Sequence, residues 1–289
     1  MQKTNPKHRI VKEQSQSQPG MENKMDPQPE YDTDLPDSQK LLDKKCIITG
    51  GDSGIGKAVA IAFARQGADV AIIYKENEKE DAEVTAKVIR EKYKRQCLKI
   101  AADISVEGNC VKAIQKILKT FPHIDVLVNN AAVQYPVDDI TGISTSQLVE
   151  TFSVNIFAMF WITKAVIQNM PKGSCIINTT SVTAYRGSSS LLDYSSSKGA
   201  IVSFTRSLSS NLIDKGIRVN GVAPGPVWTP LIPASFPPEE VAKFGTDSPM
   251  KRPAQPVEIA PAYVFLASED ASFISGQILH INGGELVNG

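Results

Sequence analysis

Tyr194 and Lys198 stand four residues apart in the run Tyr194-Ser195-Ser196-Ser197-Lys198, a spacing that can make an acid/base. On a helix, positions i and i+4 share one face, a turn apart. A free tyrosine ionises near pH 10 and is a poor base at neutrality. A cation at about 4 Å contributes on the order of 4 kcal/mol at an effective dielectric of 20, which caps the depression at about 3 pKa units. Lys198 could therefore bring Tyr194 toward neutrality. Taken alone, the same pair is a common surface ornament. Its context is Ser181, which follows the apolar run Ser174–Thr180 and precedes Tyr194 by thirteen positions.

A second constellation is Thr49-Gly50-Gly51-Asp52-Ser53-Gly54-Ile55-Gly56, placed where a β-branched run meets a helical one. Gly50 allows a tight turn, Gly54 lets the backbone approach a pyrophosphate, and Gly56 lets the helix approach the strand. The helix start adds free N–H groups and the positive end of its dipole. Gly50, Asp52, Ser53, Gly54, Ile55 and Gly56 are thus candidate contacts to a dinucleotide. The spacing is G-x-x-x-G-x-G rather than G-x-G-x-x-G, and a plain strand-to-helix turn can carry the same glycines.

The elements that must position these groups alternate. Strand-like runs occupy 44–49, 69–74, 97–102, 124–129, 174–180, 217–222 and 277–282. Between them lie runs with apolar spacing near 3.6, at Ile55–Arg65, Glu80–Tyr93, Val106–Lys119, Gln147–Met170, Tyr194–Ile213 and Val257–Ala267. Such alternation predicts right-handed βαβ units and one α/β domain over 41–289: a doubly wound, seven-stranded parallel sheet flanked by helices.

Composition narrows the function. The 289 residues carry 31 basic and 31 acidic side chains, so nothing points to nucleic acid. The absence of a run of about 18 apolar residues argues against a membrane span, and no signal-like apolar segment opens the chain. A cytoplasmic address follows. Cys46 and Cys175 sit in apolar runs, Cys97 and Cys110 stand apart, and the three histidines are scattered. Free thiols, no disulfide frame and no metal site are expected.

The glycine loop resembles that of the short-chain dehydrogenase/reductase family, and further pieces follow in order. Asp103-Ile104 follows the third strand. Asn129-Asn130-Ala131-Ala132 follows the fourth, similar to the family's N-N-A-G with Ala132 for the last glycine. Pro224-Gly225-Pro226-Val227-Trp228-Thr229 follows the sixth. The resemblance spans 41–289 in five separated motifs. The long polar N-terminus and the ending His280-Ile281-Asn282-Gly283-Gly284-Glu285 resemble a bacterial general-stress-type branch of that family.

The resemblance implies an NAD- or NADP-dependent oxidoreductase acting on an alcohol or carbonyl. Ser181 would hold the substrate oxygen, and Tyr194 would donate or remove its proton. Lys198 would also bind the nicotinamide ribose and, helped by the oxidised nicotinamide ring, act on Tyr194; Asn155 would support a proton-relay water, or simply be a buried asparagine capping a helix irregularity. Asp103 and Ile104 would meet the adenine, Asn130, Ala131 and Ala132 the dinucleotide, and Pro224, Gly225, Val227 and Thr229 the nicotinamide. A serine assignment slipped to Thr179 or Thr180 fits the spacing less well. Cofactor choice stays open. The second strand ends at Tyr74; Lys75 could meet a 2′-phosphate, Glu76 could accept from ribose hydroxyls, or both are solvated charges at a helix start. A nucleotide sensor without turnover is the rival reading, though it has no need of an activated tyrosine.

Residues 226–256 interrupt the alternation with a proline-rich insertion bearing Trp228, Leu231, Ile232, Phe236 and Phe244. It reads as a substrate lid with an apolar inner face, or as an insertion packed on the body or a partner. Gln147–Met170 carries more apolar girth than one core-facing stripe needs, and the family pairs helices at this place between subunits, so a homodimer or homotetramer is expected. Residues 1–40 hold five prolines and seven apolar residues, too few for a core. Their charge is split, basic over 3–12 and acidic over 26–37. They form a solvated tail or an extended strap over this body or a neighbour.

Overall fold

The computed structural model describes residues 13–32 and 38–287. Within them, the β-branched runs become β1 (Lys45–Thr49), β2 (Asp69–Tyr74), β3 (Cys97–Ala101), β4 (Val126–Asn129), β5 (Cys175–Thr179), β6 (Arg218–Pro224) and β7 (Ile278–Ile281). All neighbours pair in parallel, in the order β3-β2-β1-β4-β5-β6-β7. Side chains alternate between the two faces. Cys46 and Ile48 enter one apolar cluster while Ile47 enters the other. Each face is covered, and β2 is buried along its whole length, as a strand between two helical layers must be.

The covering helices are α1 (Gly54–Arg65), α2 (Lys79–Lys92), α3 (Glu107–Leu118), α4 (Thr145–Phe152), α5 (Ala158–Val166), the short α6 (Thr183–Arg186), α7 (Leu192–Leu212), the short α8 (Pro238–Val241) and α9 (Pro256–Ala267). Strand order reverses between β1 and β4, and in such sheets ligands bind beyond the strand ends at that crevice. The Gly50 loop follows β1, and Asn130 follows β4, on its two sides.

The predicted runs and observed elements differ mostly by a residue or two at their ends. One difference is larger. The run Gln147–Met170 is not a uniform helix: α4 passes into a π-turn, Ser153–Phe157, before α5. Such a turn widens the helix where a side chain needs the room, and here fully buried Asn155 occupies it. The continuous stretch Thr145–Asn169 is long and apolar enough to cross a membrane by length and composition, yet half of its most apolar window is buried inside the fold. Ile156, Met159 and Ile162 belong to its core.

Residues 13–32 lie on the body as a strap that folds back on itself around a 3-10 turn at Glu22–Lys24, where Asp26 N donates to Gln14 Oε1 at 3.0 Å. Gln16 N donates to Pro233 O at 2.6 Å, Trp228 Nε1 donates to Pro27 O at 2.8 Å, and Val257 N donates to Glu30 O at 3.0 Å. Met25 is buried against Trp228, Ile232 and Val241. The basic cluster at 3–12 and the stretch 33–37 lie outside the described residues. All four cysteines are buried and free.

Candidate active site

Tyr194 enters on the first turn of α7, whose start is fixed by a buried acid. Asp193 Oδ1 accepts from Tyr194 N at 2.8 Å, while Oδ2 accepts from Thr151 Oγ1 at 2.8 Å and Gln147 Nε2 at 3.1 Å. One turn on, Lys198 is 1% exposed. Its Nζ donates to Thr179 O at 3.0 Å and lies 5.4 Å from the Tyr194 ring centre. Thr180 Oγ1 donates to Lys198 O at 2.8 Å, which clamps α7 to the end of β5. Ser181, just past β5, accepts from Thr183 N at 3.2 Å and Thr183 Oγ1 at 3.1 Å.

These three side chains open into one cavity of about 1120 Å³. Pockets for one small ligand run to about 300–1,000 Å³, so the space admits a larger ligand or two. The Gly50 loop lines it through Asp52, Ser53, Gly54 and Ile55. Asn130, Ala131 and Ala132 line it from β4. Pro224, Gly225, Val227 and Thr229 line it from β6. Tyr74, Lys75, Asp103 and Ile104 line its far end. Two expected residues stand behind the wall. A Cβ at Gly56 would fall 1.8 Å from Gly50 O, so Gly56 shapes the loop by closeness. Asn155 spends its side chain on Val133 N at 2.9 Å, Val133 O at 3.0 Å and Ser197 Oγ at 3.0 Å, and so can act only through neighbours of the site.

Burial sets the electrostatics of the pair. It pushes Tyr194 up to about 12, with a hydrogen bond from Ser181 pulling the other way. Burial also pushes Lys198 down to about 7. Desolvation disfavours the charged form of each group.

Glu76 is exposed and lines a neighbouring pocket with Lys75 and Asp103, and the acids that face the main cavity beside Lys75 are Glu78 and Asp52. Asp52 is 2% exposed and its Oδ1 has no protein partner. Burial, then the nearby Glu78 charge, raises its carboxyl well above the usual range. An orphaned acid at the end of β1, beside glycines too tight for a side chain, fits a ribose and pyrophosphate. Trp228 follows the other reading of the insertion, packed on the body. It turns away from the cavity and is fully buried, whereas Leu231, Ile232, Phe236 and Phe244 do line it. The sequence reading missed Gln18, Pro19 and Gly20, along with Gln134, Glu150, Arg186 and Glu285. Arg186 Nε pairs with Glu285 Oε1 at 3.0 Å, a contact between residues 99 positions apart that no local pattern signals.

Residues 50–285 match the family model described as enoyl-(acyl carrier protein) reductase. General stress protein 39 of Bacillus subtilis is 50% identical over 98% of this chain and 98% of its own. The glucose and ribitol dehydrogenase of Daucus carota is 51% identical over 96% of this chain and 97% of its own. Among solved structures, a short chain dehydrogenase from Burkholderia cenocepacia in complex with NADP superposes with a TM-score of 0.79 at 28% identity, covering 85% of this chain and 98% of that one. The chain belongs to the short-chain dehydrogenase/reductase family. It is an NAD(P)-dependent oxidoreductase acting on CH–OH or C=O groups.

Proposed function

We propose that Tyr194 is the general acid/base of this reaction, Ser181 the group that holds the substrate oxygen, and Lys198 the group that binds the ribose beside them. The observation that carries this reading is the convergence of all three on the cavity that the glycine loop also lines. The nicotinamide supplies the hydride acceptor or donor and, when oxidised, a positive charge. In oxidation, Tyr194 takes the hydroxyl proton from the substrate oxygen held by Ser181; in reduction it returns that proton. Lys198, anchored on Thr179 O, keeps its Nζ within reach of the tyrosine ring. General acid–base help is typically worth about 10²–10⁴ in rate. Tyr194→Phe is therefore expected to lose about that factor in kcat while binding cofactor as before. Near-normal turnover in that variant would take the tyrosine out of the reaction. Tight cofactor binding with no turnover of any alcohol or carbonyl by the unaltered chain would favour a nucleotide sensor.

For the substrate we infer a small polyol or sugar-like carbonyl compound. The support is the polar wall made by Gln134, Glu150 and Arg186, together with the name of the carrot relative. At the adenosine end the acid that keeps its charge beside Lys75 is Asp103, while burial favours the neutral forms of Asp52 and Glu78. Carboxylates accept hydrogen bonds from a ribose diol and repel a 2′-phosphate, so NADH is expected to bind more tightly than NADPH. A paired fluorescence titration reads this directly; tighter NADPH binding would give Lys75 the deciding role. We further infer a cytoplasmic homodimer or homotetramer joined through the α4–α5 face, where Val149, Phe157 and Phe160 are exposed.

A further inference from the structure

We propose that residues 16–27 are a working wall of the active site: a strap that holds the 226–244 segment over the cavity, with Gln18 the positioning residue. This rests on the reading of the cavity as the oxidoreductase site.

Three contacts carry the idea. Gln18 Nε2 donates to Gln134 O at 3.0 Å and to Ser235 Oγ at 3.1 Å. One amide therefore ties the loop after β4 to the segment on the opposite side of the cavity, and Gln18, Pro19 and Gly20 line the cavity between them. Gly20 lies so close to that segment that a Cβ there would fall 2.2 Å from Pro230 O. Trp228, Ile232 and Val241 have little core of their own and bury themselves against Met25 of the strap. The apolar cluster beneath the segment is thus shared between the two ends of the chain.

The strap is itself pinned to the cofactor end. Glu22 is 2% exposed; its N donates to Asp81 Oδ2 at 2.9 Å, its Oε1 accepts from Gly54 N at 3.1 Å, and its Oε2 pairs with Lys57. Burying an acid is costly, and pairing with Lys57 together with the hydrogen bond from Gly54 N offsets that cost here. Strap, glycine loop and the 226–244 segment are mechanically joined. Substrate selection on that side of the cavity then depends on residues that belong to none of the strands or main helices.

Hydrogen exchange of the full-length chain tests this, using Gln18→Ala, Gly20→Val and, as a control on the exposed side of the strap, Lys24→Ala. Amides of 228–236 are expected to exchange about tenfold faster in the first two variants, consistent with the loss of one or two net hydrogen bonds. Those of β1 and α1, and all amides of the control, should keep their rates. For the polyol or aldehyde that the unaltered chain turns over, KM should rise severalfold in Gln18→Ala with kcat little changed. Unchanged exchange over 228–236, or acceleration spread equally over the whole chain, would overturn the proposal. Failure of the unaltered chain to bind NADH or NADPH would instead overturn the reading of the site and leave the exchange result standing.

Discussion

At the scale of single residues, the site is governed by desolvation. Tyr194 and Lys198 lie on one wall of the cavity, half-buried and buried respectively, and burial drives each toward its neutral form. This has a consequence for stability. Below about pH 7 the folded and unfolded chains both hold the Lys198 proton, and the folded chain bears the full cost of a buried ammonium. Between about pH 7 and the unfolded value near 10.4, the unfolded chain binds a proton that the folded one lacks, so stability rises with pH across that window. The gain is at most on the order of 5 kcal/mol. Lys198→Met should flatten the rise, as read from Tm measured at pH 6.5 and pH 9.5 in both proteins. Parallel slopes would mean that Lys198 is already charged and solvated in the fold. The tyrosine–lysine spacing was legible in the sequence; the sign of their electrostatics was not, because it depends on how much water the surrounding elements exclude.

At the scale of elements, the glycine loop shows how far spacing can be read. Gly56 was assigned to close helix–strand approach, and the backbone of Gly50 is indeed where its Cβ would go. Gly56→Ala is expected to cost about 1–3 kcal/mol through a forced backbone shift, seen in urea denaturation, and to weaken NADH binding. Gly108→Ala in α3 meets nothing within 4 Å and should be neutral or stabilising by up to about 1 kcal/mol. Equal stability changes in the two variants would mean that the loop yields to the added methyl at 56 without cost. The α4–α5 joint was legible in part, since a buried asparagine capping a helix irregularity is one reading of Asn155, but its partners were not. Its apolar period runs on through Asn155, and the π-turn exists because that asparagine bonds both backbone groups of Val133 across the chain. No window of sequence around 155 contains its partner.

For the molecule as a whole, the exposed aromatic residues Phe157 and Phe160, on the π-turn and α5, mark the proposed assembly surface. Phe160 is 52% exposed and stacks on Phe204 at a centroid distance of 4.2 Å. Phe160→Glu should leave the fold intact and shift light-scattering mass toward a smaller species, because a charge is costly to bury at an apolar interface. An unchanged mass would place the assembly surface elsewhere. The amino-terminal strap belongs to this scale too, since it gains its structure only from the body beneath it.

Alternating runs and the motif order determined the parallel sheet, its helical layers and the places of Ser181, Tyr194 and Lys198, because hydrophobic period and strand-end loops are local properties. Tertiary structure alone decided three matters. It set which further acid faces the cavity beside Lys75, namely Glu78. It set which aromatic residues face the cavity, Phe236 and Phe244 but not Trp228. It also brought Gln18 to Gln134 and Ser235, contacts that bridge 116 and 217 positions. Contacts of that reach follow from the packing of the finished sheet, and no period or spacing in the chain encodes them.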